Sequence, residues 1–441
     1  MSYWQTYKRI IRLGAPMLVS QAGMVFTSFA DNIMVGRYST DALASASFVN
    51  NVFNMAVLAT LGFTFGLTPL VGALFGRGEH RQIGHLLRNG LFIITLYSLA
   101  VTAVMGVLYL NLHRLGQPEQ LLPLIRPYFM LQLCGIVPIA LFNAFAQCSY
   151  GMRDTAMPMW IVLAGNGLNV LGNWMLIYGN WGCPEMGLTG AGIATLASRI
   201  FGPIVILAVF ALQRRYAEIR AGWREARIRL DSLRQVFVTS FPVSLQLFCE
   251  TAAFSGAAVM VGWLGALELA SFQVMGTIGT LGFCFYYSLG AATAVLVSNA
   301  AGRHEHRLER HIGFAGYHLI LVLAVCACLV FWFGGRYLIG WFTTSPDVIG
   351  MCMTLIVPMV LYQLGDATQV NFANALRGTS RVGSMLWIAI FCYLVVGLPC
   401  TYLFAFTLHG GLQGVFYSFS ASLFLAGVLF LMFFLRNTRH E

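Results

Sequence analysis

The chain contains 441 residues, of which 58% are hydrophobic and only 10% are charged, and its mean hydropathy is +0.74. Apolar runs recur from end to end, so the composition predicts an all-α polytopic membrane protein rather than a soluble domain. The formal net charge of +10 does not indicate a nucleic acid-binding protein, because the arginines lie mostly in short loops between apolar runs. The ten cysteines include no Cys-x-x-Cys pair, and we expect neither a disulfide framework nor a metal site from them.

Twelve membrane spans are predicted, at roughly 12–36, 42–74, 86–110, 122–148, 156–178, 188–213, 235–263, 268–300, 312–334, 347–373, 383–406 and 412–435. An even number of spans places both termini on one side of the membrane. The connections on that side hold most of the basic residues, whereas the opposite loops are short and nearly uncharged. The positive-inside rule therefore predicts that both termini are cytoplasmic.

One long charged connection, residues 214–234, follows the sixth span. Its arginines and glutamates could form an amphipathic surface helix that binds lipid or a partner. The simpler interpretation is a solvated linker between two halves. We therefore divide the chain into an amino-terminal six-helix lobe (1–213), a cytoplasmic linker (214–234) and a carboxy-terminal six-helix lobe (235–441).

An internal repeat supports this division. Pro16 and Pro242 lie 226 residues apart, and the same offset relates the Met-Val-Gly sequences at 34–36 and 260–262. Each half then holds six spans, and because six is even the two halves are predicted to be parallel repeats about an axis along the membrane normal. Transport sites lie at such repeat interfaces, and alternating access comes from rocking one half against the other.

Three acidic residues lie well inside apolar spans: Asp31 in the first, Glu250 in the seventh and Asp366 in the tenth. A carboxylate at mid-membrane costs a few kcal/mol or more, so each needs a partner, a proton or a cation. Two carboxylates held close resist joint ionisation, so Glu250 and Asp366 are expected to bind the coupling ion, either a proton or Na⁺. The competing interpretation of Glu250 is a stray acid that a neighbouring helix keeps neutral.

Polar residues in other spans suggest further contacts. Tyr362 lies four residues before Asp366 on the same helical face, where an aromatic ring beside a carboxylate suits an organic cation. Ordinary packing is the alternative. Asn169 and Asn173 are also four residues apart, and their amides could coordinate Na⁺ or hydrogen-bond across helices. Arg199, midway along the sixth span, must pair with something and could neutralise a carboxylate of the amino-terminal half.

Five motifs carry a family resemblance. They are APMLVSQ at 15–21, FADNIMVGR at 29–37, GLNVLGNWMLIYGNWGCPEMGLTGAGIAT at 167–195, FPVSLQLFCETAAF at 241–254 and YQLGDATQVNFANALRGT at 362–379. With these five motifs in this order, the chain resembles the multidrug and toxic compound extrusion (MATE) family over essentially its whole length. It is most similar to the NorM-type branch, which places a Glu in the seventh span and an Asp in the tenth.

The resemblance implies a fold and a set of roles. The implied fold has twelve transmembrane helices in two pseudo-symmetric six-helix bundles, which export organic cations in exchange for Na⁺ or H⁺. Glu250 and Asp366 would form the carboxy-lobe cation site, and would bind Na⁺ if the transporter is sodium-coupled. Tyr362 would be the cavity tyrosine. The remaining implied site is the polar cluster of the amino lobe, which is formed by Asp31, Asn169 and Asn173. It is a second candidate site for the coupling ion, and Asp31 would also contact substrate.

The leading hypothesis is a secondary antiporter for multidrug efflux by alternating access. A lipid-linked precursor flippase of the wider superfamily would require a more cationic cavity than three acids and one arginine provide. A membrane-embedded prenyl-transfer enzyme would require an acidic metal-holding cluster, and direct use of ATP would require a Walker A motif; the sequence contains neither. We therefore predict a monomeric transporter of the bacterial inner membrane rather than an enzyme, with no cofactor other than the coupling Na⁺ or H⁺.

Overall fold

The computed structural model describes residues 2–114 and 118–439, and within these ranges the regular elements are helices, with no β-strand. In its described residues, the chain up to Leu212 contains eight α-helices. They are α1 (Tyr3–Tyr38), α2 (Thr40–Thr64), α3 (Leu67–Arg77), α4 (His80–Leu110), α5 (Leu122–Cys134), α6 (Ile136–Gly151), α7 (Ala156–Tyr178) and α8 (Gly187–Leu212). Since α2 with α3 and α5 with α6 each make one crossing, these eight helices form six spans.

Nine α-helices follow in the rest of the described chain. They are α9 (Ala217–Glu225), α10 (Leu230–Leu264), α11 (Ala266–Gly302), α12 (His306–Gly340), α13 (Pro346–Thr354), α14 (Ile356–Gly378), α15 (Gly383–Ala389), α16 (Leu398–Tyr402) and α17 (Gly411–Asn437). The crossing Gly383–Thr407 runs through α15 and α16 and contains two π-helical stretches, Ile390–Gly397 and Leu403–Thr407.

Eleven helical segments of the described chain are long and apolar enough to cross a membrane. A twelfth crossing results when α13 and α14, which meet at a bend of 57°, are counted as one broken span. The predicted spans fall inside these twelve crossings except at residue 213, one position beyond the end of α8. The predicted all-α membrane fold is therefore confirmed at the level of its spans.

Prolines occupy two kinds of position in these crossings. Pro358 is the third residue of α14, directly after the bend at Leu355, and Pro138 holds the same position in α6. Proline has no amide hydrogen and is tolerated in the first turn of a helix, where the amide has no intrahelical partner. Pro16 and Pro242 instead lie inside the uninterrupted helices α1 and α10.

The chain forms two compact units. The amino-terminal unit contains Val19–Ser244, and the carboxy-terminal unit contains the residues up to Leu18 together with those from Leu245 onward. Both divisions fall two residues after a proline, within α1 and within α10. The first turns of α1 thus belong with the carboxy-terminal helices, and the first turns of α10 belong with the amino-terminal ones. The sequence did not predict this exchange of helix segments.

The connection 214–234 contains a docked helix rather than a solvated linker. Ile219 and Gly222 of α9 are buried against the start of α4. The two backbones are so close that a Cβ atom on Gly84 would overlap the carbonyl oxygen of Ile219, and a Cβ atom on Gly222 would overlap that of Arg81. Glycine at both positions is therefore required for this close approach. The amphipathic helix is present, but its apolar face contacts protein rather than lipid.

Polar side chains of α4 complete this contact. Arg88 donates from Nη1 to the carbonyl oxygens of Trp223 (3.2 Å) and Ala226 (2.8 Å). Carbonyl groups at the end of a helix lack intrahelical partners, so these bonds cap α9. Asn89 donates to the carbonyl of Arg227 (3.2 Å) and accepts from the amide of Arg229 (3.0 Å). Together these bonds hold the connection in a defined position on the amino-terminal unit.

Glu225, at the end of α9, allows a test of the predicted topology. Its side chain is 55% exposed. In a background whose native cysteines are replaced, Glu225→Cys should react with a membrane-impermeant maleimide only when the cytoplasmic side is accessible, because the arginine-rich connections are predicted to be cytoplasmic. Labelling of this position in intact cells would contradict the predicted orientation.

Candidate functional site

The carboxy-terminal unit brings together the two predicted carboxylates. Glu250 lies in the middle of α10 and is half-buried, and Asp366 lies in the middle of α14 and is only 3% exposed. The two groups are close enough for the charge of one to act on the other. Because like charges repel strongly in a medium of low dielectric, this arrangement favours binding of a proton or another cation.

Each carboxylate has a distinct environment. Gln246, one helical turn before Glu250, donates from Nε2 to Glu250 Oε2 at 3.0 Å. The Oδ2 atom of Asp366 is buried and accepts no hydrogen bond from the described residues. A buried carboxylate oxygen without a donor is energetically unfavourable. Asp366 is therefore well suited to hold a proton or to coordinate a cation.

Tyr362 has surroundings that fit both interpretations drawn from the sequence. Its half-buried ring lies beside those of Phe254, Phe416 and Phe419, with centroid separations of 6.3 to 6.4 Å. The charges of Asp366 and Glu250 also act on Tyr362. The ring thus joins an aromatic cluster to the carboxylate pair, an arrangement that can receive the apolar and the charged parts of an amphipathic cation.

Substitutions of Tyr362 separate a substrate contact from a purely structural one. If the ring contacts substrates, Tyr362→Ala should weaken export of some compounds about tenfold more than others, because the lost aromatic contact differs between substrates. Tyr362→Phe keeps the ring and should be largely tolerated. The measurement is efflux of a panel of cationic dyes, with expression as control. An equal loss of folded protein in both variants would support ordinary packing.

Tyr393 joins the pair, although the sequence did not predict it there. It lies in the π-helical stretch Ile390–Gly397, is 3% exposed, and its hydroxyl accepts from Gln369 Nε2 at 2.7 Å. Glu250 and Tyr393 both line one small cavity. Wide π-helical turns within α-helices occur often at functional sites. The only sequence signal was a hydroxyl group inside an apolar span.

We expect Tyr393→Phe to weaken binding of the coupling ion about tenfold, because a buried hydroxyl of the residue that shares a cavity with Glu250 is lost. The maximal transport rate at a saturating ion concentration should change much less. The matched control is Tyr402→Phe in the same crossing, since Tyr402 is 52% exposed. The half-saturating ion concentration for dye efflux measures the effect, and equal values for both variants would exclude Tyr393 from the site.

Arg377 is a second residue that the sequence did not place at the site. It follows the predicted span 347–373, but it lies in the last turn of α14 and is only 5% exposed. Its side chain hydrogen-bonds Tyr287, and its charge acts on Glu250. Glu250 therefore has a buried arginine whose charge acts on it, although none is nearby in sequence.

The amino-terminal unit connects its predicted polar residues through hydrogen bonds. Asn173 donates from Nδ2 to Asp31 Oδ1 at 2.5 Å and to Asn169 Oδ1 at 3.3 Å. Asn169 in turn donates to Thr195 Oγ1 at 3.2 Å, so the chain of bonds passes from α1 through α7 to α8. The structure thus assembles the predicted cluster and adds Thr195, whose hydroxyl gave no distinctive sequence signal.

Arg199 has a partner other than the one considered from the sequence. Its Nη1 atom donates to Gln132 Oε1 at 2.5 Å. Among the described residues no direct ion pair joins Arg199 to Asp31, although the charge of each acts on the other. Asp31 is therefore only partly compensated by Arg199, through space.

The side chains available around Glu250 and Asp366 determine which metal ion this pair could coordinate. The described chain contains no group of three or more His, Cys, Asp or Glu placed to hold a metal ion. A Na⁺ ion at Glu250 and Asp366 would thus have two carboxylates, and its other oxygen ligands would be uncharged groups. Such an oxygen-only set suits a hard cation and not a thiolate- or imidazole-bound transition metal.

Comparisons with known proteins agree with this architecture. The sequence pattern of the MatE family matches residues 16–175 and 242–403. The chain is 30% identical over 430 residues to "Probable multidrug resistance protein NorM" of Bradyrhizobium diazoefficiens, covering 96% of this chain and 92% of that protein. It is 26% identical over 405 residues to "Multidrug resistance protein NorM" of Vibrio cholerae, covering 92% and 89% of the two chains.

Solved structures show the same fold. A MOP superfamily transporter from Pyrococcus furiosus superposes with a TM-score of 0.89 at 18% identity, covering 98% of this chain and 96% of that one. The eukaryotic MATE transporter AtDTX14 gives a TM-score of 0.88 at 16% identity, covering 99% and 98%. The predicted fold class, two pseudo-symmetric six-helix bundles, and the similarity to the NorM-type branch are confirmed. The chain therefore belongs to the MatE family, the multidrug and toxic compound extrusion family that its motifs resemble.

Proposed function

We propose that this protein is a multidrug efflux transporter that exports organic cations or amphipathic drugs in antiport with Na⁺ or H⁺ by alternating access. Family membership and the names of the NorM relatives support multidrug transport rather than enzymatic catalysis. The observation that carries the preference for cations is the pair Glu250 and Asp366, because Asp366 is only 3% exposed and its Oδ2 atom accepts no hydrogen bond from the described residues.

The proposed coupling follows from competition for negative charge. The coupling ion binds between Glu250 and Asp366, and a drug cation competes for the same carboxylates while its apolar part contacts Tyr362 and the adjoining phenylalanines. A ligand shifts a conformational equilibrium only through different affinities for the two states. Ion and drug would therefore drive opposite transitions if each binds better to a different state of the transporter.

The amino-terminal cluster is proposed as a second ion or substrate site. Asp31, Asn169 and Asn173 supply a carboxylate and two amide oxygens, and Asn173 Oδ1 is buried without a hydrogen-bond donor among the described residues. We rank this cluster below the carboxy-terminal pair for two reasons. Its carboxylate already accepts a short hydrogen bond from Asn173, and the charge of Arg199 acts on it.

A lipid-linked precursor flippase is the alternative function. A diphosphate headgroup would require a predominantly cationic cavity. The structure adds the buried Arg377 to the half-buried Arg199, but the charge of Arg377 acts on Glu250 and is thereby partly offset. The balance of buried charge thus continues to favour cationic substrates.

Transport in a defined membrane tests the proposal. The protein reconstituted in vesicles should move a cationic dye uphill when a Na⁺ or an H⁺ gradient is imposed, and should not do so without a gradient or with an ionophore that dissipates it. The response to each gradient alone identifies the coupling ion. Uphill movement of an anionic lipid-linked precursor instead of the dye would support the flippase. We further propose a monomer in the bacterial inner membrane with cytoplasmic termini, and no cofactor.

A further inference from the structure

The connection 214–234 holds seven arginines and three acidic residues. The side chains of two of these arginines bond to other parts of the amino-terminal unit. Arg215 pairs with Asp154 at 2.6 Å. Arg220 donates to the carbonyl oxygens of Phe210 (2.8 Å) and Gln213 (2.7 Å), where α8 ends. These two side chains therefore fix the start of the connection to the amino-terminal unit.

The other five arginines of this connection are exposed. In the described chain none of their side chains donates a hydrogen bond or forms an ion pair. Of the three acids, Glu225 lies 4.0 Å from Arg81, which leaves two to offset five cations. We call these five residues the linker arginine surface: Arg214, Arg224, Arg227, Arg229 and Arg234. Exposed guanidinium groups in such excess attract a polyanion or an anionic surface.

Exposed apolar side chains adjoin the linker arginine surface. Leu212 is the last residue of α8, and Leu230 is the first residue of α10, so both stand at the ends of membrane crossings. Leu212 is 81% exposed, Leu230 is 80% exposed and Ile228 between the arginines is 53% exposed. Apolar side chains left uncovered at the end of a crossing lie next to lipid. The arginines thus lie at the interface between the membrane hydrocarbon and water.

The docking of α9 on α4 limits which ligands can bind to the arginines at the membrane surface. The apolar face of α9 is already used in its contact with α4, so α9 cannot insert into a membrane as a free amphipathic helix does. Arg224 in its last turn remains exposed. A partner of this surface must therefore present negative charge toward the arginines and apolar groups toward Ile228 and Leu230. An anionic phospholipid has both features, whereas nucleic acid and soluble phosphates have only the charge.

We propose that the linker arginine surface binds the phosphate groups of anionic phospholipids, with Ile228 and Leu230 in contact with the upper part of the acyl chains. Guanidinium groups bind phosphate oxygens through paired hydrogen bonds, and basic residues next to a membrane are attracted by anionic headgroups. This binding would anchor the connection between the two halves of the chain to one membrane leaflet.

Lipid retention by the purified full-length protein tests this proposal. In a neutral detergent, native mass spectrometry should show preferential retention of phosphatidylglycerol over phosphatidylcholine. Removing an arginine near an anionic surface costs about fivefold in affinity, so R224Q/R227Q/R229Q should weaken phosphatidylglycerol binding on the order of 100-fold. R37Q/R114Q/R336Q removes as many charges from the ends of crossings predicted to lie on the other side, and should bind like the wild type. The corresponding lysine variant, R224K/R227K/R229K, should retain most of the binding.

Four outcomes would overturn the proposal. The first is equal retention of the two lipids by the wild type. The second is unchanged phosphatidylglycerol binding in the glutamine variant. The third is the same loss in the lysine variant with an unchanged melting temperature, which would show that charge is not the cause. The fourth is full displacement of the lipid by millimolar glycerol phosphate, which would identify a soluble phosphate as the ligand. A dye-efflux assay remains separate, since lipid binding does not depend on the transport reaction.

Discussion

Glu250→Gln and Asp366→Asn are each expected to reduce gradient-driven dye efflux to the level of cells that lack the transporter. Both substitutions remove a negative charge and keep nearly the same shape. In the low-dielectric interior a proton or Na⁺ loses most of its stabilisation when either carboxylate becomes an amide. Efflux from energised vesicles under an imposed ion gradient measures the loss. Expression and membrane insertion should remain at wild-type levels, because an amide is easier to bury than a carboxylate.

The matched control lies on the same helix as Asp366. Asn374 is also buried in α14, and Asn374→Leu removes a polar group without removing a charge, so gradient-driven efflux should persist at reduced stability. If the Glu250 and Asp366 variants both still pump dye uphill at wild-type rates, the carboxy-terminal ion site is wrong. The cluster of Asp31, Asn169 and Asn173 then becomes the leading site, and Asp31→Asn should abolish coupling.

The second large effect is expected at Gly84, where α4 meets α9. A methyl group there would overlap the carbonyl oxygen of Ile219 and come within 2.5 Å of the amide nitrogen of Trp223. Both are backbone atoms, which cannot turn aside as a side chain can. We expect Gly84→Ala to destabilise the protein by about 2 kcal/mol, as an overpacked contact does, and to detach α9. Thermal unfolding in detergent and the rate of tryptic cleavage at Arg224 and Arg227 measure the two effects.

Gly106→Ala is the control for Gly84→Ala. Gly106 also lies in α4, and a Cβ atom there would meet no atom within 4 Å. Replacing glycine by alanine at such an open helical position raises stability by about 1 kcal/mol. The two variants should therefore shift the melting temperature in opposite directions. A similar shift for both would show that the contact between α4 and α9 contributes little to stability.

The fold was largely predictable, and the reason is the membrane itself. In a bilayer every backbone polar group must be bonded within the segment, so an apolar run of sufficient length can only be a helix. This constraint locates the twelve crossings to within a few residues. It could not reveal the π-helical stretch around Tyr393, because a π-helical turn and an α-helical turn of the same apolar residues look alike in hydropathy.

The candidate site was predictable where it contains charged side chains whose burial in an apolar span has a high free-energy cost. A lone carboxylate in an apolar span is conspicuous, and Asp31, Glu250 and Asp366 stood out for that reason. Arg377 did not, because its position near the end of a span resembles an ordinary loop arginine, and only the packing around α14 shows that it is buried. The docking of α9 was missed for a related reason: a helix with alternating charges looks solvated until the glycines that admit its partner are located in space.

The exchange of helix segments between the two units has a consequence for how the chain folds during synthesis. The first turns of α1 emerge first, yet their partners lie in the carboxy-terminal unit; Tyr7, for example, hydrogen-bonds His318, 311 positions later. Contacts of such long sequence separation form late. The amino-terminal unit is likewise incomplete until the first turns of α10 are made. A chain cut within 214–234 would therefore yield two fragments that each lack a piece of their own core, and they should fold only when expressed together.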